Sequence, residues 1–192
     1  MSITREIRPA LSMVVLFTIG LGVVLPGIFT GVMQEVLPVQ ANGSLIINDG
    51  HAVGSALIGQ NFTGSTYFQP RPSALDTPYD AGTSGASNLA PTSAALVKAV
   101  AQRVAAYVKA YGPGPVPQDA VTSSGSGLDP DISLANALRQ APAVANARHL
   151  PTATVLALVH KMTHQAFLGG LIGTDHVNVL ELNLALDHLP AS

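Results

Sequence analysis

The chain has 192 residues, 47% of them hydrophobic and only 10% charged, with a net charge of -2. That charged fraction is well under half of the roughly 25% usual for a soluble domain, and together with a mean hydropathy of +0.37 it excludes a disordered chain. Nine Lys and Arg at a pI near 6.3 argue against a nucleic-acid groove, and the lack of cysteine excludes disulfides, thiolate metal sites and cysteine nucleophiles.

The excess hydrophobicity lies near the start. Arg8 and Glu35 bracket 26 uncharged residues, Pro9 to Gln34. At 1.5 Å per residue these span about 39 Å as a helix, against about 30 Å for a bilayer core. The run is longer than a signal-peptide core, and no clean small-x-small cleavage site precedes Glu35. A retained membrane helix over 9–34 is therefore predicted. Gly20, Gly22, Gly27 and Gly31, with Ser12, Thr18 and Thr30, suit close approach of neighbouring helices better than contact with lipid alone. Pro26 is expected to kink the helix, because it lacks an amide proton and crowds the preceding turn. Arg5 and Arg8 flank one end and Glu35 the other, so the positive-inside rule puts the tail, 1–8, in the cytoplasm and residues 35–192 outside. Residues 36–192 hold 7 basic and 9 acidic residues, so the low charge density persists beyond the membrane helix.

Asn42-Gly43 signals a turn. Leu45-Ile46-Ile47 is a β-favouring run closed by Asn48-Asp49-Gly50, and His51 to Ile58 is a weaker one. Thr66-Tyr67-Phe68 is a further strand candidate, ended by Pro70 and Pro72. Tyr79 to Pro91 is mainly loop. A helix over 92–111 is capped by Thr92 or Ser93, carries the stripe Leu96, Val100, Val104 and Tyr107, and is stopped by Gly112-Pro113-Gly114-Pro115. After a loop from Pro113 to Pro130, helical pattern covers Ile132 to Leu138, then Ala143 to Arg148 beyond Pro142. Another helix opens at Leu150-Pro151-Thr152 and runs to about Gln165. In the last segment, VNVLELNLALD, Leu180, Leu182, Leu184 and Leu186 alternate with Glu181, Asn183 and Asp187. That is the pattern of a half-buried strand, a helix being the alternative for so Leu/Ala-rich a piece. The order of elements predicts a compact mixed α+β domain after one transmembrane helix.

Candidate chemistry is sparse. His160 and His164 lie four apart, a spacing that chelates metals on a helix face, but without an adjacent Glu or a persuasive third ligand. No metal site is predicted. The serines at 84, 87, 123, 124 and 126 occur in no GxSxG, SxxK or KTG element, and no GxxxxGK[ST] is present. No catalytic residue is therefore assigned. Asp129 and Asp131 flank Pro130; Asp131 can cap the helix expected near Ile132, or either carboxylate can meet a partner's Lys or Arg. Gly82 and Gly85 can shape a tight loop or an anion nest. Arg71, set between prolines, suits a buried ion pair or a partner's carboxylate.

The most distinctive stretches are loops: QANGSLI (40–46), GSALIGQNF (54–62), YFQPRPSA (67–74), YDAGTSGASNLAPTS (79–93), DAVTSSGSGLDPDIS (119–133) and VNVLELNLALD (177–187). In this order, and over essentially the whole chain, the sequence resembles the C-subunit family of the bacterial Kdp potassium-transporting ATPase. The resemblance implies a four-subunit inner-membrane complex with a channel-like potassium translocator, a P-type ATPase subunit and a very small membrane peptide. It implies that this chain is an accessory subunit, required for a working complex and placed against the channel-like subunit near the outer potassium entrance. Potassium is then handled by the partner subunits. The family is also described as a catalytic chaperone that raises the pump subunit's affinity for ATP. That alternative places an ATP contact on the loop Ser84 to Asn88, at Ser84, Gly85, Ser87 and Asn88.

Two departures bear on these expectations. Ala86 stands where the family usually has a glycine (SGASN for SGGSN), which is costly if the position needs positive φ. Gly173-Thr174-Asp175-His176 stands where the family tends to have Gly-Glu-Pro-Arg. The topology and the chaperone account also conflict, because an exported loop cannot reach cytoplasmic ATP. The reading favoured here is an exported domain that supports assembly and shapes potassium access.

Overall fold

The computed structural model describes residues 3–190; the first two residues of the predicted tail and the last two of the chain lie outside them. The chain divides into two compact units, Met1–Leu45 and Ile46–Ser192. The first is built on one helical rod from α1 (Ile3–Ile19) through a π turn (Gly20–Val24) into α2 (Leu25–Val36). The span Arg5–Val36 is long and apolar enough to cross a membrane, and none of its described residues is buried within the chain. The π turn explains how Pro26 is carried. A proline there cannot donate to the carbonyl four residues back, and the wider turn, with Leu25 N donating to Gly20 O, comes immediately before it. A short α3 (Pro38–Ala41) and the Asn42-Gly43 turn close the unit.

At the start of the second unit comes a hairpin of β1 (Leu45–Asn48), whose first residue ends the first unit, and β2 (His51–Ser55). Its two-residue loop, Asp49-Gly50, takes φ of +49° and +79°, as a type I′ turn requires. α4 (Ala94–Tyr111) matches the predicted helix, but Ser93 at its N-cap position makes no side-chain capping bond; Gly112 at φ +84° ends it with its N–H on Val108 O at 2.9 Å. Of its stripe only Tyr107 is buried, so α4 lies on the surface.

The centre is a three-stranded antiparallel sheet, β3 (Asp131–Ser133), β5 (His176–Asn178) and β4 (Thr163–His164), in the order β3-β5-β4. Ile132 and Thr163 both oppose Val177 in register. Three helices complete the unit: α5 (Leu134–Ala147), α6 (Thr152–Lys161) and α7 (Val179–Asp187). The core joins Phe68, Ile132, Val144, Val159, Val177 and Leu182. The mixed α+β class with one N-terminal apolar helix is as predicted.

Four local expectations are corrected. The terminal segment is a strand only at 176–178 and then a helix. The Asn178 side chain accepts the Glu181 amide at 3.1 Å, capping α7, and the buried positions 179, 180, 182, 183 and 186 fall at helical spacings of three and four. Asn183, expected to face out, is therefore inside. The Thr66–Phe68 candidate is not in a sheet, because amide side chains take the place of a neighbouring strand: Asn183 brackets Phe68 with bonds of 2.9 and 3.0 Å, and Gln140 brackets Gln69 with bonds of 2.7 and 3.1 Å. α5 starts at Leu134 and continues through Pro142, since burial of Ala141, Val144 and Ala145 outweighs the one lost backbone bond. α6 stops at Lys161 rather than Gln165, and Thr163 turns its hydroxyl back onto Val159 O at 2.8 Å before entering β4.

Candidate functional site

The Ser84–Asn88 loop is assembled by short polar side chains acting on backbone. Asp80 accepts the Gly82 amide at 2.9 Å and the Thr83 hydroxyl at 3.2 Å. The Gly85 amide donates to Ser126 O at 2.9 Å, and the Ser84 hydroxyl leans on the same oxygen at 3.4 Å. The facing loop is tied in the same way: Ser124 Oγ accepts Gly127 N, and Ser126 Oγ accepts Leu128 N, at 2.9 and 3.1 Å. Gly127 is required there. Its φ is +72°, and a Cβ would lie 2.7 Å from Leu75 and 3.0 Å from Gly85 O.

Of the four residues predicted for an ATP contact, Ser84, Ser87 and Asn88 are exposed and Gly85 is half-buried. Asn88 is the residue with positive φ, +51°, whereas Ala86 has none, so alanine is accommodated where the family pattern has glycine. Each arginine of the second unit is committed elsewhere: Arg71 to Asp129, Arg103 to Val121 O, Arg139 to Gly112 O, and Arg148 to Thr66 O and Asp187. The hydroxyls of Thr83, Ser84, Ser124 and Ser126 thus hold backbone and turns in these loops.

A polar cleft of about 290 Å³ lies beside the sheet, lined in part by Arg71, Asp119, Asp129, Asp131 and His176. Pro70 and Pro72 hold Arg71 so that its Nη1 meets Asp129 Oδ2 at 2.6 Å, which fulfils the ion-pair expectation inside the chain. Tyr79 donates to Arg71 O at 2.6 Å. Burial, then the nearby Asp129 carboxylate, pushes the Tyr79 hydroxyl pKa up, with Arg71 opposing, so Tyr79 stays a donor. The helix cap expected of Asp131 falls to Ser133, whose Oγ accepts Asn136 N at 3.1 Å. Asp119 in turn accepts Ser133 N at 2.9 Å, Ser133 Oγ at 2.8 Å and Asn136 Nδ2 at 2.8 Å. Asp119 gave no local signal, because it acts on residues fourteen and seventeen positions away.

A second cleft, about 250 Å³, lies between α4 and α5 and is lined in part by Gln69, Arg103, Tyr107, Tyr111, Asn136 and Gln140. Its floor is one network: Tyr107 and Gln140 both donate to Asn136 Oδ1, at 2.8 and 2.9 Å. Burial pushes the Tyr107 and Tyr111 pKa values up, so both phenols remain protonated donors.

His160 and His164 do not share a helix face, because α6 ends between them. His164 on β4 instead stacks on His176 of β5, with ring centroids 5.4 Å apart. Glu181 lies 3.6 Å from His164 Nε2, and Asp131 lies 4.0 Å from His176 Nε2. Among the described residues no group of three or more His, Asp or Glu is arranged to hold a metal ion. The histidine pair became visible only through the antiparallel register His164↔His176.

Comparison with known proteins decides what these parts belong to. The family described as KdpC, K+-transporting ATPase, c chain, matches residues 7–188, through both units. The chain belongs to the KdpC family. The potassium-transporting ATPase KdpC subunit of Gemmatimonas aurantiaca is 51% identical over 190 residues, covering 98% of this chain and 95% of that protein. Those of Acidobacterium capsulatum and Mycobacterium tuberculosis are each 50% identical, covering 96% of this chain and 99% of theirs. A KdpC-family chain is a subunit of a potassium-transporting ATPase, and the apolar helix Arg5–Val36 fits a membrane-associated one.

Proposed function

We propose that this chain is a non-catalytic accessory subunit of an ATP-driven potassium uptake complex in a bacterial inner membrane. It holds a channel-like translocating subunit, a P-type ATPase subunit and a small membrane peptide in a working assembly. Its N-terminus is cytoplasmic, and its domain lies outside, near the potassium entrance. Any effect on ATP use travels through the membrane subunits.

One observation supports this above the others. The apolar helix buries none of its described residues against its own chain, and Gly20, Gly22, Gly27 and Gly31 have nothing within 4 Å of where a Cβ would stand. Such a surface is open to the backbone of another helix. Leucine at Gly27 or Gly31 therefore clashes with nothing in the isolated chain. Gly27→Leu should leave the purified chain folded in detergent and abolish its co-purification with the larger subunits. Full recovery of the complex would overturn the assembly role of this face.

Sidedness has its own test. With no native cysteine, a Ser87→Cys variant is a single-thiol reporter. Labelling by an impermeant reagent in intact inner-membrane vesicles of known orientation should follow the outer face. If Ser87 labels only from the cytoplasmic face, and ATP binding to the full chain is lost in Ser84→Ala and Asn88→Ala, the chaperone reading with ATP at Ser84, Gly85, Ser87 and Asn88 replaces this one.

A further inference from the structure

Between β4 and β5 the chain makes a turn with an unusual outer surface. Ten residues, Gln165 to Thr174, carry no charge. Phe167, Leu168, Leu171 and Ile172 are 66%, 65%, 80% and 59% exposed, and Leu171 is the most exposed large apolar side chain among the described residues. The turn is nevertheless well built. Phe167 and Ile172 exchange backbone bonds of 3.1 and 3.3 Å, Gly170 N donates to Phe167 O at 3.3 Å, and Asp175 accepts the Ala166 amide at 2.9 Å. Gly170 at φ +95° and Gly173 at φ +79° supply the tight reversals.

We propose that the Phe167–Ile172 turn inserts its apolar side chains into the interfacial layer of a lipid bilayer, as a second membrane contact besides the helix. Three features favour lipid over a protein partner. Four side chains of this size present on the order of 400 Å², about half of the roughly 800 Å² that each partner contributes to a standard protein interface. The turn pairs Phe167 and Ile172 with each other, which removes polar backbone groups that lipid cannot satisfy. Lys161, exposed at the end of α6 just before β4, places a cationic group at the root of the turn, complementary to anionic headgroups. Because the helix already holds the chain on a bilayer, even a small apolar tip binds at a high effective concentration. The proposal rests on membrane attachment of the helix but not on which side the domain occupies.

The chain contains no tryptophan, so one introduced residue reports without background. Full-length Leu171→Trp should be reconstituted in phosphatidylethanolamine–phosphatidylglycerol vesicles, with and without brominated acyl chains. Its emission is expected to be blue-shifted and at least twofold quenched by the brominated lipid. Val97→Trp, at an exposed site on α4, should stay water-like and unquenched. Both variants should float with the vesicles, and adding Leu168→Asp should reduce quenching at position 171 without changing flotation. Water-like, unquenched emission from a floating Leu171→Trp chain would overturn the proposal. So would a shift that arises only when the larger subunits are added, which would assign the tip to a protein partner. Failure of either variant to float would overturn the membrane attachment on which the proposal rests.

Discussion

The two units solve opposite problems. The helix Arg5–Val36 is almost wholly apolar yet buries none of its described residues in its own chain, whereas the second unit is poor in charge yet encloses Asn136, Gln140 and Asn183 in its core. The rod needs only its internal hydrogen bonds, so its outward surface is available to lipid and partner helices. The second unit has long loops whose backbone groups must be paired if they are to be buried. It pairs them with amide side chains, which donate and accept at once as a strand edge does. Its specificity is therefore carried by a few polar residues inside, and that of the helix by small residues outside.

Substitutions that empty the second unit's core should separate the two most strongly. Phe68 is fully buried and joins the core to the loop it sits on. Phe68→Ala should cost about 3–5 kcal/mol, the range for removing a buried aromatic, measured by urea unfolding of the full chain in detergent. Gly27→Leu should cost nothing in the same experiment. A loss of stability from Gly27→Leu matching that from Phe68→Ala would break the comparison, because it would mean that the helix packs on its own chain.

The polar clamp comes next in size. Asn183→Leu keeps the number and branching of side-chain heavy atoms but strands the Phe68 amide and carbonyl, each a buried group worth about 1–3 kcal/mol when left unpaired. The two groups together cost about 2–6 kcal/mol, burial of the leucine methyls offsets part of it, and a net loss of about 2–4 kcal/mol is expected in urea unfolding. A neutral result would show that water reaches Phe68 and that Asn183 is not a substitute strand edge.

This clamp also marks where the sequence was readable and where it was not. The apolar helix, the Asn48-Asp49-Gly50 hairpin and α4 rest on local signals, namely a charge-free run, a turn dipeptide, a stripe and a glycine stop, and all of them appear. The Tyr67–Phe68 segment has β-favouring residues, but the partners of Phe68 and of the adjoining Gln69 lie 115 and 71 residues away, on α7 and α5. No local pattern announces that. The alternation of Leu180 to Leu186 fits a strand by period, yet the cap at Asn178 and burial of Asn183 decide for helix. The candidate loop was legible as a turn from its Gly, Ser and Asp residues. The Arg71–Asp129 pair was half legible, since the prolines fix one partner and the fold supplies the other, 58 residues on.

A smaller effect tests the polar cleft against the dry core. Burial raises the pKa of Asp131; His176 and then His164 pull it down, while Asp129 and Glu181 push it up. A raised folded value means that the neutral form is favoured by folding. The corresponding stability is present below the ordinary carboxylate value of 3.8 and is lost as pH rises through the folded value. Asp131→Asn should therefore be more stable than the parent at pH 7, with the advantage vanishing toward pH 3.8. The side chain is 35% exposed, so solvent screening keeps the gain below about 1 kcal/mol. Thermal melts of both chains across this range would read it, and an advantage that grows as pH falls would show the sign to be wrong.

The smallest expected effect concerns the Ser84–Asn88 loop, where the family resemblance and the backbone geometry point in different directions. If glycine is the family's usual residue because the loop demands it, Ala86→Gly should stabilise this chain. The geometry says otherwise: the left-handed residue is Asn88, two positions on, while Ala86 has no positive φ and is half-buried. Glycine at 86 then only enlarges the freedom of the unfolded chain, and Ala86→Gly should cost about 0.4–1 kcal/mol. Asn88→Gly relieves a strained φ and offsets that loss with a gain of similar or smaller size. Opposite signs for two substitutions two residues apart, read by urea unfolding under one set of conditions, would establish that the loop's conformation is set by Asn88 and by the Ser126 contact of Gly85 rather than by flexibility at position 86.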